Sequence, residues 1–339
     1  MIFLRAQKWN NTVFAYWGLA EAKCLDGHGY GDYWLTSCGQ DQAGGKSKRV
    51  YYHKRFDDSH TSNVETRPLT NIMNICGSHD GVDCMQTGGQ TDTTENETLV
   101  EQFRTNTPSL VTRSAGTALT TGRQFPVGTC SRNNDHWTIG GTQTNDQFGI
   151  NAPTNSIEVL NYDVNATMVS QGTIVSNGTA YPVGCGNGSA AFVRTNQNYT
   201  TDYAVMEVVN IADSSGGTTT SYIAQEKITN YTQTWSTIGS ACSIGKDAVF
   251  QDNTLIGSVT FDDALTETIW SVNPLQRHTR AKMCTNGVDI VINGGCVGLG
   301  SNTATSQTRY IKADSTSTSY VSGQGVGITL KNHFSTGYQ

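Results

Sequence analysis

Short stretches in which apolar and polar residues alternate recur along the chain, separated by polar turns. The clearest example is residues 123–168, where two alternating runs flank a short apolar run, His136–Ile139, that ends on Gly140-Gly141. Alternation with a period of two is typical of β-strands, and glycine pairs are typical of tight turns. This segment therefore predicts three β-strands that pair with their neighbours along the chain.

Similar segments follow one another through most of the sequence, and cysteines mark them. Six cysteines stand 52, 54, 55, 57 and 42 residues apart, each just ahead of a polar turn and a second strand. They are Cys24, Cys76, Cys130, Cys185, Cys242 and Cys284. Three second strands end on glycine pairs, namely Gly88-Gly89, Gly140-Gly141 and Gly294-Gly295. A third strand and usually a shorter fourth follow, so each unit predicts four strands.

Four strands in each unit of about 50 residues are typical of a β-propeller. Stacked units bury both sheet faces and leave only short edges, and the glycine pairs allow a turn where a neighbouring sheet leaves no room for a Cβ. The sequence therefore predicts an all-β fold, a single domain over residues 1–339, with six blades. The count becomes seven if the end strands form their own blade. We expect residues 1–23 and 331–339 to pair and close the ring.

Composition and charge narrow the classes of function. The chain contains 36 glycines and 15% charged residues, and no run keeps helical spacing over four turns. Its net charge of −6 argues against nucleic-acid binding. No apolar run is long enough to cross a membrane, and Arg5 and Lys8 interrupt the region where a signal peptide needs its apolar core. We therefore expect synthesis and folding in a cytoplasm.

Two families of repeat are similar to these units. A glycine pair before a strand that ends on Tyr162-Asp163 resembles a kelch-type repeat, although Met168 stands near the usual tryptophan. A closer resemblance is to propeller repeats in virion proteins of tailed bacteriophages, especially those of marine and freshwater bacteria. It rests on NSIEVLNYDVNAT and VSQGTIVSNGTAYPVGC within Asn155–Cys185, and on LVEQF and LTTGRQFPVGTC within Leu99–Cys130. This resemblance implies a tail-fibre, tail-tip or capsid-surface protein.

The cysteines themselves suit a structural role. A cysteine at one repeat position fills a small apolar space between sheets. Disulfides are the alternative, and Cys38, Cys84 and Cys296 lie 14, 8 and 12 residues after a repeat cysteine, so local hairpin bridges are conceivable. The total of nine leaves at least one thiol free. Their wide spacing, without a nearby histidine, does not suit zinc, and we expect no metal and no cofactor.

The sequence offers few candidates for catalysis. Histidines adjoin another charged residue at His79-Asp80, Asp135-His136 and Arg277-His278. None is paired in sequence with a nucleophile, so we expect polar turn residues and no enzyme. The tryptophans on or beside predicted strands could stack on sugars or fill the space between sheets. They are Trp34, Trp137, Trp235 and Trp270.

One basic segment, KSKRVYYHKR at residues 46–55, stands out in an acidic chain. It could contact an acidic surface glycan or a neighbouring subunit. The reading we favour is a solvated rim strand that charge protects against edge pairing. The candidate surface-binding residues are Lys46, Lys48, Arg49, Lys54 and Arg55.

These observations lead to one functional hypothesis and two alternatives. We expect a non-catalytic virion protein, assembled in the host cytoplasm, that contacts other virion proteins or a host surface glycan, as a homo-oligomer or part of a larger assembly. An extracellular carbohydrate-active or copper-oxidase-like propeller enzyme is the first alternative. A kelch-type protein-interaction scaffold is the second.

Overall fold

The computed structural model consists of antiparallel β-sheets, and the described residues contain no helix. Accordingly, no described helix is long and apolar enough to cross a membrane. In chain order the described strands are β1 (Arg5–Trp9), β2 (Thr12–Tyr16), β3 (Tyr33–Ser37), β4 (Arg49–Lys54), β5 (Ser62–Thr66), β6 (Cys76–His79), β7 (Asp83–Thr87), β8 (Val100–Arg104), β9 (Leu110–Val111), β10 (Val127–Cys130), β11 (Asp135–Ile139), β12 (Ser156–Asn161), β13 (Val169–Thr173), β14 (Val183–Gly186), β15 (Ala190–Asn196), β16 (Tyr203–Asn210), β17 (Ser221–Lys227), β18 (Ser240–Ile244), β19 (Asp247–Asp252), β20 (Leu255–Thr260), β21 (Glu267–Val272), β22 (His278–Thr279), β23 (Lys282–Thr285), β24 (Asp289–Asn293), β25 (Cys296–Val297), β26 (Thr308–Lys312), β27 (Ser317–Thr318), β28 (Val321–Gly323) and β29 (Phe334–Tyr338).

Beyond these strand backbones, the structure describes the side chains of part of the chain. The ranges are residues 75–80, 82–91, 98–103, 111–113, 117–131, 133–143, 154–173, 182, 184–194 and 207–212, with single positions at 248, 258, 283, 285, 290 and 292. Most of the side-chain detail therefore comes from the second, third and fourth sheets along the chain.

Six sheets formed by the described strands each contain a run of four antiparallel strands. Their orders are β29-β3-β4-β5 (sheet 1), β6-β7-β8-β9 (sheet 2), β10-β11-β12-β13 (sheet 3), β14-β15-β16-β17 (sheet 4), β18-β19-β20-β21 (sheet 5) and β23-β24-β26-β28 (sheet 6). Sheet 5 gains a fifth strand, because β27 pairs in parallel with β21. Two hairpins, β1-β2 and β22-β25, stand apart from these sheets.

The first strands of the sheets lie next to one another. Strand β6 contacts β10, β10 contacts β14, β14 contacts β18, and β18 contacts β23. Strand β29 contacts both β23 and β6. This arrangement of antiparallel sheets is compatible with a β-propeller-like fold, as the alternation along the chain predicted.

Sheet 3 has buried apolar residues on both of its faces. Paired residues Trp137 and Val159 lie on one face and join Ala191 and Val209 of sheet 4 in a buried core. Leu160 lies on the opposite face and packs with Met85 of sheet 2. Since successive side chains of a strand point to opposite faces, a sheet between two others needs apolar residues at both sets of positions.

The two described glycine pairs turn beside backbone that leaves no room for a side chain. Gly88 and Gly141 have φ values of +66° and +106°. A Cβ on Gly88 would lie 2.7 Å from the carbonyl oxygen of Arg123, and one on Gly141 would lie 2.6 Å from that of Gln124. Glycine is therefore required at these turns for its backbone and for its size. The third predicted pair, Gly294-Gly295, lies outside the described residues.

The strands at the two ends pair differently from our expectation. Strand β29 pairs with β3, whereas β1 and β2 pair with each other. The prediction that residues 1–23 pair with residues 331–339 is therefore wrong for the described strands. Only Asn10 and Asn11 separate β1 from β2, so a local hairpin forms with little loss of chain entropy. The first strand of sheet 1 is β29. The sequence predicts a strand near Cys24 at this position, and Cys24 lies outside the described residues.

The repeat cysteines lie on first strands wherever the structure describes them, but at different registers. Cys185, Cys242 and Cys284 share one register, each opposite the third residue of the following strand. The same place is taken by Thr129 in sheet 3 and Ser78 in sheet 2. The prediction of a single repeat position thus fails for Cys76 and Cys130, because sequence spacing does not fix register.

The basic segment forms an interior strand and not a rim. Strand β4 pairs with β3 on one side and β5 on the other. Our favoured reading, a rim strand protected by charge, is therefore wrong, since β4 has no open edge to protect. Arg49 and Lys54 are the two end residues of β4, and Lys46, Lys48 and Arg55 lie outside the described residues.

Candidate functional site

The polar side chains between sheets 2 and 3 meet around His136. This residue is the second of β11 and lies on the face of sheet 3 that meets sheet 2. Its Nδ1 lies 2.7 Å from Ser78 Oγ, and its Nε2 lies 3.0 Å from Thr87 Oγ1 and 3.2 Å from Thr138 Oγ1. The imidazole therefore has hydroxyl partners from both sheets.

Further hydrogen bonds extend this group, which we call the His136 cluster. Ser78 Oγ also lies 2.9 Å from Tyr162 Oη, and Thr87 Oγ1 lies 2.8 Å from Thr138 Oγ1. The thiol of Cys76 lies 3.1 Å from Thr87 Oγ1. The cluster consists of Cys76, Ser78, Thr87, His136, Thr138 and Tyr162, and all six residues are buried.

Burial keeps His136 neutral. Loss of hydration lowers its pKa from 6.5 to about 3, and the positive charge of Arg113 acts in the same direction. A neutral imidazole has one donor and one acceptor nitrogen, and hydroxyl groups rotate to match either arrangement. The cluster is therefore satisfied without a charge in the interior.

The His136 cluster is suited to a structural role in the packing of sheet 2 against sheet 3. Ser78 and His136 are a possible nucleophile and base, but among the described residues Nε2 of His136 contacts threonine hydroxyls and no carboxylate that would orient it. His136 and Ser78 are both 0% exposed. A substrate therefore has no access to this pair, and the hydrogen bonds join β6 and β7 to β11.

The three pairs in which a histidine adjoins a charged residue lie in different structural positions. Asp80 is a turn residue as expected, since its Oδ1 accepts hydrogen bonds from the backbone of Val82 and Asp83, at 2.8 and 2.7 Å. His79 and His136 are buried strand residues, so the turn interpretation is wrong for both. Arg277 and the side chain of His278 lie outside the described residues.

A buried ion pair lies close to the glycine turn of sheet 3. The guanidinium of Arg123 donates to Glu158 Oε1 and to the carbonyl oxygens of Gly140 and Ser156, at 3.2 and 3.1 Å. Glu158 Oε2 accepts a hydrogen bond of 2.7 Å from the backbone of Thr120. Burial lowers the pKa of Arg123, and the charge of Glu158 opposes that shift.

Sequence reasoning missed this ion pair, although a signal was present. The third strands of sheets 2, 3 and 4 carry Glu101, Glu158 and Glu207, each opposite the fourth residue of the preceding strand. All three glutamates are buried. An acidic residue repeated at one position of an otherwise apolar strand indicates a partner nearby.

The described cysteines and Trp137 lie in the interior. Cys76, Cys84 and Cys185 form no disulfide, whereas Cys130 is disulfide-bonded. The conceivable bridge from Cys76 to Cys84 does not form, because the two residues do not face each other across the hairpin. Cys84 pairs with His79, three residues after Cys76.

Trp137 is fully buried and cannot stack on a sugar. The described residues contain no group of three or more His, Cys, Asp or Glu that could hold a metal.

We expect the neutral His136 to make stability depend on pH. Between pH 6.5 and about 3 the unfolded chain binds a proton that the folded chain excludes, so stability should fall as the pH falls. The contribution is up to about 1.4 kcal/mol for each pH unit. Urea unfolding at pH 7 and pH 5 measures it. His136→Gln keeps a donor and an acceptor and should lose this part of the dependence. Equal pH dependence in both proteins would contradict the assignment.

Comparison with known proteins adds a likeness of fold. No protein-family model matches the chain, and no curated protein matches its sequence. Among solved structures 165 chains match it, and one of them is YjhT. That structure has a TM-score of 0.61 and 12% sequence identity to this chain, over 89% of this chain and 99% of YjhT. At this identity the likeness concerns the fold alone.

Proposed function

We propose that this chain is a closed six-bladed β-propeller that serves as a non-catalytic virion protein of a tailed phage. In this proposal it is a tail-fibre, tail-tip or capsid-surface component, assembled in the host cytoplasm. It binds a host surface glycan or neighbouring virion subunits through the ends of its blades. The support comes from the strand pairing, from the buried polar groups and from the sequence resemblance.

The strand pairing supports six blades and a closed ring. Each of the six sheets has its first strand beside the first strands of two others, and the sequence of contacts returns to its start through β29. Strand β29 comes from the C-terminal end of the chain but belongs to the same sheet as β3 near the other end. Such pairing joins both ends of the ring and favours six blades over seven.

One observation carries the non-catalytic part of the proposal. In the described sheets, the ionisable and hydroxyl side chains best suited to catalysis are buried and bond to one another. The His136 cluster and the pair of Arg123 with Glu158 are the two examples, and both are buried. The cluster joins sheet 2 to sheet 3 and the ion pair fixes the backbone of sheet 3, so recognition is left to loops and to exposed strands.

The phage assignment is supported by the resemblance of residues 155–185 to virion propeller repeats. This segment runs from β12 through β13 and into β14, and so it passes from sheet 3 to sheet 4. The resemblance therefore includes the connection between two sheets and not only one hairpin.

Mass spectrometry of purified particles tests the assignment. We expect the protein to remain with infectious particles through a density gradient, in a fixed ratio to the major capsid protein. Recovery only as free protein would contradict the virion role. Bound metal or turnover of sugars by the purified protein would instead favour the extracellular enzyme that we gave as the first alternative.

A binding assay on host cells tests the attachment role. We expect the purified protein to compete with phage for adsorption. Lys48→Glu with Arg55→Glu should abolish the competition if the basic segment contacts an acidic glycan, because like charges repel. Lys312→Glu, at the end of β26, is a control outside this segment and should compete normally. Competition by neither the original protein nor its variants would contradict attachment without affecting the particle test.

A further inference from the structure

Strand β13 is the outer strand of sheet 3 and is open to solvent. It is last in the sheet order and pairs with β12. All five of its residues are exposed or half-exposed, and Val169, with 48% of its surface exposed, is one of two large apolar residues that stand out in the described part of the chain. An outer strand of this kind presents backbone groups that another strand can bond.

The other outer strands have features that prevent a further strand from pairing with them, and β13 lacks these features. Strands β5 and β17 contain Glu65 and Glu226, and β9 and β28 are only 2 and 3 residues long. The outer edge of β21 is already covered by β27. Charge, shortness and cover are the usual ways in which proteins prevent edge pairing. Among the six outer strands described, β13 alone has five residues, no charge and no further strand paired with it.

The absence of charge extends well beyond the strand. Residues 164–193 contain no Asp, Glu, Lys, Arg or His, in a chain with a net charge of −6. A charged partner would find no complementary charge there. A second copy of the same strand, in contrast, meets no like-charge repulsion, and antiparallel pairing of two identical strands obeys two-fold symmetry.

We propose that β13 is a self-association surface, at which two copies of this chain join sheet 3 to sheet 3 by antiparallel pairing of their β13 strands. The pairing of β27 with β21 is a precedent within the chain for an outer edge that accepts a further strand. The register shift opposite Ile157 and Glu158 bends part of β13 and limits the length that can pair. The dimer is therefore weak and forms as concentration rises. This inference does not rest on the phage assignment.

Sedimentation velocity over a wide concentration range tests the proposal. We expect the protein to pass from monomer to dimer, and Ser170→Lys to raise the dissociation constant at least about tenfold, because two like charges then meet across the contact. Ser170 is exposed, so this change leaves the core intact. Val82→Lys is the matched control, since Val82 is the other exposed large apolar residue among the described side chains and lies in the turn before β7. It should dimerise like the original protein.

A photo-crosslinking residue in place of Thr173 then locates the contact. We expect crosslinks between β13 of one copy and β13 of the other. Three results would overturn the proposal: a protein that stays monomeric up to its solubility limit, a Ser170→Lys variant that dimerises normally, or crosslinks to a different protein or surface. Unfolding curves of both lysine variants should match the original, which separates lost association from lost folding.

Discussion

Replacing Arg123 with alanine should destabilise the protein by about 3–5 kcal/mol, because it leaves a buried carboxylate without its cation. Glu158 is 1% exposed and Arg123 is 0% exposed, so water cannot replace the lost partner. The carbonyl oxygens of Gly140 and Ser156 lose a donor in the same change. Urea unfolding followed by tryptophan fluorescence measures the loss, and the buried Trp137 in the same sheet is a suitable reporter.

The double replacement Arg123→Met with Glu158→Met is the control for this interpretation. It removes both charges and keeps apolar volume, so it should cost less than Arg123→Ala alone. A loss below about 1 kcal/mol for Arg123→Ala, or a double variant as unstable as the sum of the two single variants, would mean that the pair is not the cause.

Much of the fold could be predicted from alternation and turn chemistry. The runs at His136, Ser156 and Asp289 correspond to observed strands that begin within one residue of them. The glycine pairs mark the ends of second strands because no other residue suits both their backbone and their surroundings. These signals are local, and a sequence displays local constraints directly.

Register and strand partners could not be predicted in the same way. Cys130 differs from Cys185 by one register, which places it on the other face of its sheet. A spacing of 55 residues does not reveal this shift, since loop lengths vary between units. The pairing of β29 with β3 is likewise set by contacts between distant segments.

The buried polar groups escaped prediction for a related reason. Ser78, His136 and Tyr162 meet although 58 residues separate the first two and 84 separate Ser78 from Tyr162. Each residue alone resembles a solvated turn or strand position. The hydrogen bonds that make burial tolerable exist only once two sheets pack together.

Replacing Gly141 with alanine should be far more costly than the same change at Gly172. The two residues have almost the same φ, +106° and +103°, so the backbone strain of about 1–3 kcal/mol is shared. At Gly172 nothing lies within 4 Å of the added Cβ, whereas at Gly141 it would meet the carbonyl oxygen of Gln124 at 2.6 Å. That oxygen accepts a hydrogen bond of 2.9 Å from the backbone of Thr142 and so cannot move away freely.

The difference between these two variants therefore isolates the close approach of two backbone segments. We expect Gly141→Ala to lose about 1–3 kcal/mol more than Gly172→Ala, the usual range for overpacking. Thermal and urea unfolding of both variants measure the two losses side by side. Equal losses would mean that the turn relaxes around the new methyl group. In that case Gly141 would be needed for its backbone conformation alone, and the backbone of Gln124 could move away from the added methyl group.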